Sequence, residues 1–200
     1  MSRRRRTLLF GLVLAVAVIF VCLERSPISP KWQAEPGDVE KYHGTTFTVT
    51  RVVDGDTLDI NTPDGKYTHT RIRLLGIDTP ETKSETPAVC RIGREAADFA
   101  KELALGKQLT IYLDEGNPTR GKYGRLLAYV QLPDGRFLNE VLLIEGYAYA
   151  DLRFRHSLYN KYKQLQAVAQ RQKKGLWPNV TRDQLPEWLQ RMKPNLLLTR

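Results

Sequence analysis

The chain has 200 residues, of which 26% are charged and 42% apolar, a balance that suits one globular domain with extensions and excludes a disordered or low-complexity protein. Its formal net charge of +9 is compatible with an anionic partner such as a nucleic acid, and equally with simple solubility. With only two cysteines, Cys22 and Cys90, and three scattered histidines, the body of the chain holds no disulfide, no cysteine metal site and no HExxH hydrolase motif.

The N-terminus is a separate object. Arg3 to Arg6 precede sixteen near-continuous apolar residues, Leu8 to Leu23. That run is close to the roughly 17–25 residues of a membrane-spanning helix. Its end, Phe20-Val21-Cys22-Leu23, lacks the small residues of a cleavage site, which favours an uncleaved anchor with its arginines in the cytoplasm. A cleaved secretion signal is the alternative. Residues 1–23 are thus expected to be an anchor or signal, with the rest of the chain outside the cytoplasm or secreted. Residues 24–44, with Pro27, Pro30, Pro36 and Gly37, read as a linker.

The body is expected at residues 45–178. The β-branched alternation of "TTFTVTRVV" predicts a strand broken by Asp54-Gly55-Asp56. "TLDIN" predicts a second strand and Pro63-Asp64-Gly65 a hairpin turn. "KYTHTRIRLLGI" predicts a third, with Ile72 and Leu74 on one face and Arg71 and Arg73 on the other. Apolar spacing at Ala96, Phe99, Ala100 and Leu103 then predicts a helix ending near Gly106. "QLTIYL" and "RLLAYVQL" predict the fourth and fifth strands, separated by a polar loop from Asp114 to Tyr123. A short helix around Leu138, Val141 and Leu142 and a longer one from Ser157 to Gly175 complete the body. The fold class is therefore α+β and mainly β: a five-stranded OB-type barrel with three attached helices. Residues 179–200 form a tail with Pro186, Trp188 and an apolar "NLLL", read as either a docked segment or a partner contact.

Three polar clusters interrupt the barrel. The first is "VDGDT", with Asp54, Asp56 and Thr57. The second is "RLLGIDTPE", with Arg73, Asp78, Thr79 and Glu81. The third is "TRGKYGR", with Lys122, Tyr123 and Arg125. Asp56 and Asp78 are hard oxygen donors suited to sharing a Ca²⁺ ion. Glu81, one residue past Pro80, is placed to activate water. Arg73 and Arg125 suit the oxygens of a phosphate. Each cluster also has a structural reading. "DGD" is an ordinary turn, Asp78 to Glu81 can cap the next element, and "KYGR" can be a solvated basic turn.

The order of these motifs resembles the thermonuclease, or staphylococcal nuclease, family. "VDGDT", "RLLGIDTPE", "KYGRLLAY" and "DGRFLNEVLLIEGYA" match its successive motifs over roughly residues 46–178. The resemblance implies a five-stranded OB barrel with three helices and a calcium-dependent endonuclease that cuts DNA and RNA and leaves 3′-phosphate ends. It implies Asp56, Asp78 and the Thr79 carbonyl as Ca²⁺ ligands, Glu81 as general base, and Arg73 and Arg125 as catalytic arginines. Lys122 and Tyr123 are implied as contacts to a terminal phosphate of the substrate, and Asp54 and Thr57 as supports of the metal ligands. Leu152 and Phe154 are implied to stand where the family has two tyrosines that pack on the base. A single-stranded nucleic acid is the expected partner, with no obligate protein partner and a monomeric state. The alternative reading is a non-catalytic OB module that holds nucleic acid without cutting it.

Overall fold

Alternation of buried and exposed side chains builds the strands of this chain, and a few buried polar side chains lock them to the helices. The computed structural model describes residues 37–83 and 86–197. The predicted membrane segment, residues 1–23, and residues 24–36 of the predicted linker lie outside the described residues. Among the described residues, no helix is long and apolar enough to cross a membrane.

Strand β1 (Thr45–Asp54) turns through Gly55 into β2 (Thr57–Ile60), with Asp54 opposite Thr57 in an antiparallel pair. β3 (Thr70–Leu74) runs antiparallel to β2 and buries Thr70, Ile72 and Leu74, while Arg71 and Arg73, partly buried, lie on its other face. β5 (Gln108–Tyr112) pairs antiparallel with β6 (Leu126–Gln131) and with β1, and β6 lies parallel to β3. The closed order β1-β2-β3-β6-β5 is the five-stranded OB-type barrel expected from the sequence. Its interior holds Val49, Leu58, Ile72, Leu109, Leu126 and Val130, none more than 2% exposed.

The predicted third strand is interrupted. Gly76, at φ +78°, turns the chain out of the barrel after Leu74. A Cβ there would collide with the His156 ring, so glycine is required for both reasons. The chain continues as β4 (Ile77–Asp78), which pairs with β7 (Tyr149–Ala150) in a separate two-stranded sheet. Helix α2 (Pro87–Ala104) starts earlier than its apolar spacing suggests, with Pro87 in its first turn, where a missing N–H is harmless. α3 (Leu138–Ile144) and α4 (Tyr159–Arg171) follow the expected positions.

Two further short helices flank the body. α1 (Asp38–Tyr42) falls within the predicted linker, yet Tyr42 is fully buried and its hydroxyl meets Thr70 Oγ1 at 2.9 Å. The packed body therefore begins at Asp38 and not at Thr45. α5 (Glu187–Met192) lies in the tail, where Leu185, Trp188 and Leu189 are buried. Of the two readings of the tail, the docked one describes these residues.

One amide ties the layers together. Asn139, fully buried on α3, donates from Nδ2 to the carbonyls of Leu75 (3.0 Å) and Ala128 (3.3 Å) and accepts the Val130 N–H at 3.0 Å. It joins α3 to β6 and to the end of β3, just before the acidic turn. Replacing it by alanine takes this partner from the Val130 N–H and the Leu75 carbonyl, while the Ala128 carbonyl keeps the Leu75 N–H at 2.9 Å; each buried group left unpaired costs roughly 1–3 kcal/mol. Asn139→Ala is expected to lower the unfolding free energy by at least ~2 kcal/mol, read from the midpoint of urea denaturation.

Candidate active site

The three polar clusters converge at one end of the barrel because β2, β3 and β6 are neighbours. Thr57 pairs with Arg73, and Arg73 with Leu127, so residues 57 and 73 lie on adjacent strands and residue 125 just before the next one, β6. Thr57 Oγ1 donates to Asp56 Oδ1 at 3.0 Å and lies 3.5 Å from Arg125 Nη1.

Asp56 and Asp78 meet through Arg73. Its Nη2 is 2.7 Å from Asp78 Oδ1 and 3.2 Å from Asp56 Oδ2. Its Nη1 donates to the carbonyls of Ile77 (2.7 Å) and Leu74 (2.9 Å). The side chain is only 13% exposed, so the guanidinium is engaged within the site and does not lie open toward solvent. Asp56 Oδ2 also accepts the Thr79 N–H at 2.9 Å and the Thr79 hydroxyl at 3.1 Å. Gly55 makes room for this: a Cβ there would stand 2.8 Å from the Thr79 methyl. Asp54 sits behind, accepting the Asp56 N–H at 3.1 Å.

Glu81 follows the buried pair Thr79-Pro80 and is itself exposed. Its backbone is held from below by α2, where Gly93 abuts the carbonyls of Pro80 and Glu81 so closely that no Cβ would fit. A helix glycine that costs about 1 kcal/mol of propensity is thereby explained as the seat of the Glu81 segment.

The third cluster lies on an exposed loop. Tyr123 is 76% exposed, with Lys122 Nζ 5.5 Å and the Arg125 guanidinium 5.8 Å from its ring centre. Tyr123 and Arg125 line one wall of a groove of about 260 Å³ whose other wall carries Tyr67, His69 and Arg71. Arg120 anchors this loop: it forks onto Asp38 through Nε and Nη2, both at 2.7 Å, and pairs with Asp64. Thr119 Oγ1 donates to the same Asp38 at 2.7 Å. Leu152 is buried and packs in the core, while Phe154 is 63% exposed, so only Phe154 presents a ring to solvent.

Sequence reasoning missed three contributors. Arg120 falls within the polar loop expected from Asp114 to Tyr123, and only the fold shows it holding that loop to α1. Arg153 is fixed by Asp151 through two bonds of 2.8 Å and comes within 3.4 Å of Asp78 Oδ2. Trp188, from the tail, donates its Nε1–H to the same oxygen at 2.8 Å. The isolated tryptophan in a polar tail was the one sequence signal for it.

These residues fit a hard divalent cation. Two carboxylate oxygens, one from the turn between β1 and β2 and one from β4, already converge on one cationic nitrogen, and backbone oxygens lie beside them. Among the described residues, no three His, Cys, Asp or Glu side chains cluster as a metal site. A cation held by Asp56 and Asp78 would therefore complete its shell with backbone and water oxygens, the Thr79 carbonyl being the candidate.

The comparisons with known proteins identify the family. Residues 71–179 match the model of the staphylococcal nuclease homologues. A thermonuclease of Staphylococcus hyicus is 35% identical over 84% of this chain and 96% of its own length. A thermonuclease of Staphylococcus intermedius is 33% identical over 83% of this chain and 94% of its own. An uncharacterised endonuclease of Escherichia coli is 34% identical over 72% and 82%. The chain belongs to the staphylococcal nuclease homologue family. It is an endonuclease, a hydrolase of phosphodiester bonds. Thermonucleases of this family are generally metal-dependent, which accords with the oxygen-rich site of this nuclease.

Burial pushes the Asp78 carboxyl up, and the charge of Asp56 adds to this; Arg73, Arg153 and Trp188 oppose it, leaving the group at about 6. Asp54 is likewise pushed up to about 6, by burial and by the charge of Asp56. Both groups are protonated below that pH in the metal-free nuclease. A cation must then displace a proton, so its apparent affinity falls as the pH falls. Calorimetric titrations with a divalent cation from pH 7.5 to 5 are expected to show constant affinity above pH ~6.5. Below pH ~6 the loss should approach about tenfold per pH unit for each proton displaced.

Proposed function

We propose that this nuclease is a calcium-dependent endonuclease that hydrolyses DNA and RNA by attack of water and leaves 3′-phosphate ends. The observation that carries the reading is the convergence of Asp56 Oδ2 and Asp78 Oδ1 on a single cationic nitrogen, one residue pair away from an exposed Glu81. Two carboxylates and a carbonyl are hard donors, and the absence of histidine or thiol from the set favours calcium over zinc. When bound, the ion offsets the charge of the scissile phosphate and polarises its oxygen.

The protein's own groups perform the rest. Glu81 takes a proton from a water molecule, whose oxygen attacks the phosphorus. The bond to the 5′ oxygen breaks, and that oxygen leaves with a proton from solvent. The phosphate stays on the 3′ oxygen. Arg125 donates to the phosphoryl oxygens as negative charge builds on five-coordinate phosphorus. Arg73, which pairs with Asp56 and Asp78 in the metal-free protein, shares this task once those oxygens are taken by the ion. Lys122 and Tyr123, exposed on the loop that Arg120 anchors, receive a phosphate of the substrate strand. The groove between Tyr123 and Tyr67 has the basic and aromatic walls that a single strand favours. The nuclease acts as a monomer held at a membrane by residues 1–23, with its body outside the cytoplasm, supported by the Arg3–Arg6 cluster and the apolar run after it.

Purified nuclease is expected to digest single-stranded DNA in calcium and to stop in EGTA. Glu81→Gln should lower kcat by about 10² or more. Arg125→Ala should cost about 10²–10³ in kcat through lost charge stabilisation. Products whose 3′ ends join a 5′-phosphorylated adaptor only after phosphatase treatment would place the phosphate on the 3′ side. Salt-sensitive binding of DNA without cleavage, in calcium, would instead establish a non-catalytic binding module.

A further inference from the structure

The segment after the family-matched residues 71–179 reaches back to the acidic turn. Val180 and Leu185 are buried, and a 3-10 turn (Arg182–Gln184) with a Thr181–Gln184 capping box steers the chain into α5. Trp188 and Leu189, 8% and 0% exposed, pin that helix to the body. The only polar atom of the Trp188 side chain is its Nε1–H, and it is directed onto Asp78 Oδ2 at 2.8 Å.

Arg153 completes the arrangement. Its guanidinium lies 4.7 Å from the Trp188 ring centre and is clamped by Asp151 through both carboxylate oxygens. It therefore stacks on the indole and faces Asp78 Oδ2 together with it, at 3.4 Å. The two oxygens of Asp78 have separate surroundings. Oδ2 is held by the tail and Arg153. Oδ1 points to Arg73 Nη2, the atom shared with Asp56. A carboxylate held this way cannot rotate freely about its last bond, so Oδ1 is kept toward Asp56. Packing alone would not require the indole N–H to meet a carboxylate; a phenylalanine, though smaller, would also supply an aromatic ring.

We propose that Trp188 is a positioning residue for the metal ligand Asp78, with Arg153 as its support, so that the C-terminal segment is a working part of the divalent-cation site. This rests on the reading that Asp56 and Asp78 hold the cation. The partners that orient a metal ligand typically contribute 10–100-fold to metal affinity. Trp188 supplies that contact from outside the family-matched segment.

Trp188→Phe in the full-length chain removes the N–H and keeps an aromatic ring under Arg153. Calcium affinity is read by calorimetry, and thermal stability is read separately in EGTA. The expected result is a calcium Kd weakened about tenfold or more, with the EGTA melting temperature little changed. A Kd equal to that of the unaltered chain would overturn the positioning role and leave the calcium reading intact. A lowered melting temperature with an unchanged Kd would make Trp188 a packing residue and overturn it equally. If the unaltered chain binds no calcium, the reading of the site falls, and this inference with it.

The unaltered chain offers a second measurement that does not depend on a variant folding. In ¹⁵N spectra the Trp188 indole N–H, assigned against Trp188→Phe or by sequential connectivity, is expected to shift during a calcium titration with the Kd of the site. The buried indole of Trp177 should shift far less. A Trp188 signal that stays still while calcium binds would overturn the proposal.

Discussion

One guanidinium organises the end of this barrel. Arg73 joins Asp56 from the first hairpin to Asp78 from the turn after β3, and it caps the carbonyls of Leu74 and Ile77 on the way. Two carboxylates this near each other in a partly buried setting repel, and their desolvation is costly. A shared cation between them is the condition under which both can remain there. Arg73 meets that condition in the protein alone, and a divalent ion with the same two oxygens would compete with it. The same geometry that stabilises the apo fold thus predisposes the site to a metal.

Precision at that point comes from elements that contribute no chemistry. The parallel pairing of β3 with β6 sets Arg73 and Arg125 on one face. Asn139 welds the end of β3 to α3 and β6 through three hydrogen bonds. Gly93 lets α2 approach the Pro80–Glu81 backbone, and Gly76 lets β4 leave the barrel beneath His156. β4 in turn is held by β7, whose Ala150 N–H is accepted by Gln166 of α4 at 2.8 Å. The acidic turn is therefore supported from three sides, while Glu81, Lys122 and Tyr123 stay open to solvent. Rigid carboxylates beside exposed groups are what a site acting on a long polymer needs, because the substrate must enter from outside and the reacting atoms must not drift.

The helices and loops outside the barrel divide the remaining work. Arg120, through Asp38 and Asp64, ties the basic loop to α1 and to the β2–β3 hairpin. Arg153 and Trp188 tie the region after β7 and the C-terminal segment to Asp78. The first helix and the C-terminal segment are thus each connected to the site through an arginine, a residue whose planar fork can serve several acceptors at once.

Much of this was legible in the residues themselves. Alternation in β1, β3 and β6, helical spacing in α2 to α4 and the turn residues at Gly55 and Gly65 are local patterns, and the barrel followed from them. The three polar clusters were also legible, because their order and joint presence, and not any one of them alone, pointed to phosphodiester chemistry. Local pattern could not show that Gly76 turns the chain out of the barrel after Leu74, nor that α1 belongs to the packed body, since both depend on what lies opposite. It could not show that Arg73 faces inward onto carboxylates, that Arg120 is buried against Asp38, or that Trp188 reaches a residue 110 positions earlier. The sequence by itself determined which elements form and which residue types could act on a phosphodiester, because periodicity and side-chain chemistry are carried by neighbouring residues. Only the tertiary structure decided which of those charged groups share a hydrogen bond and which face solvent, because those pairings join distant parts of the chain and are chosen by the competition to satisfy every buried charge.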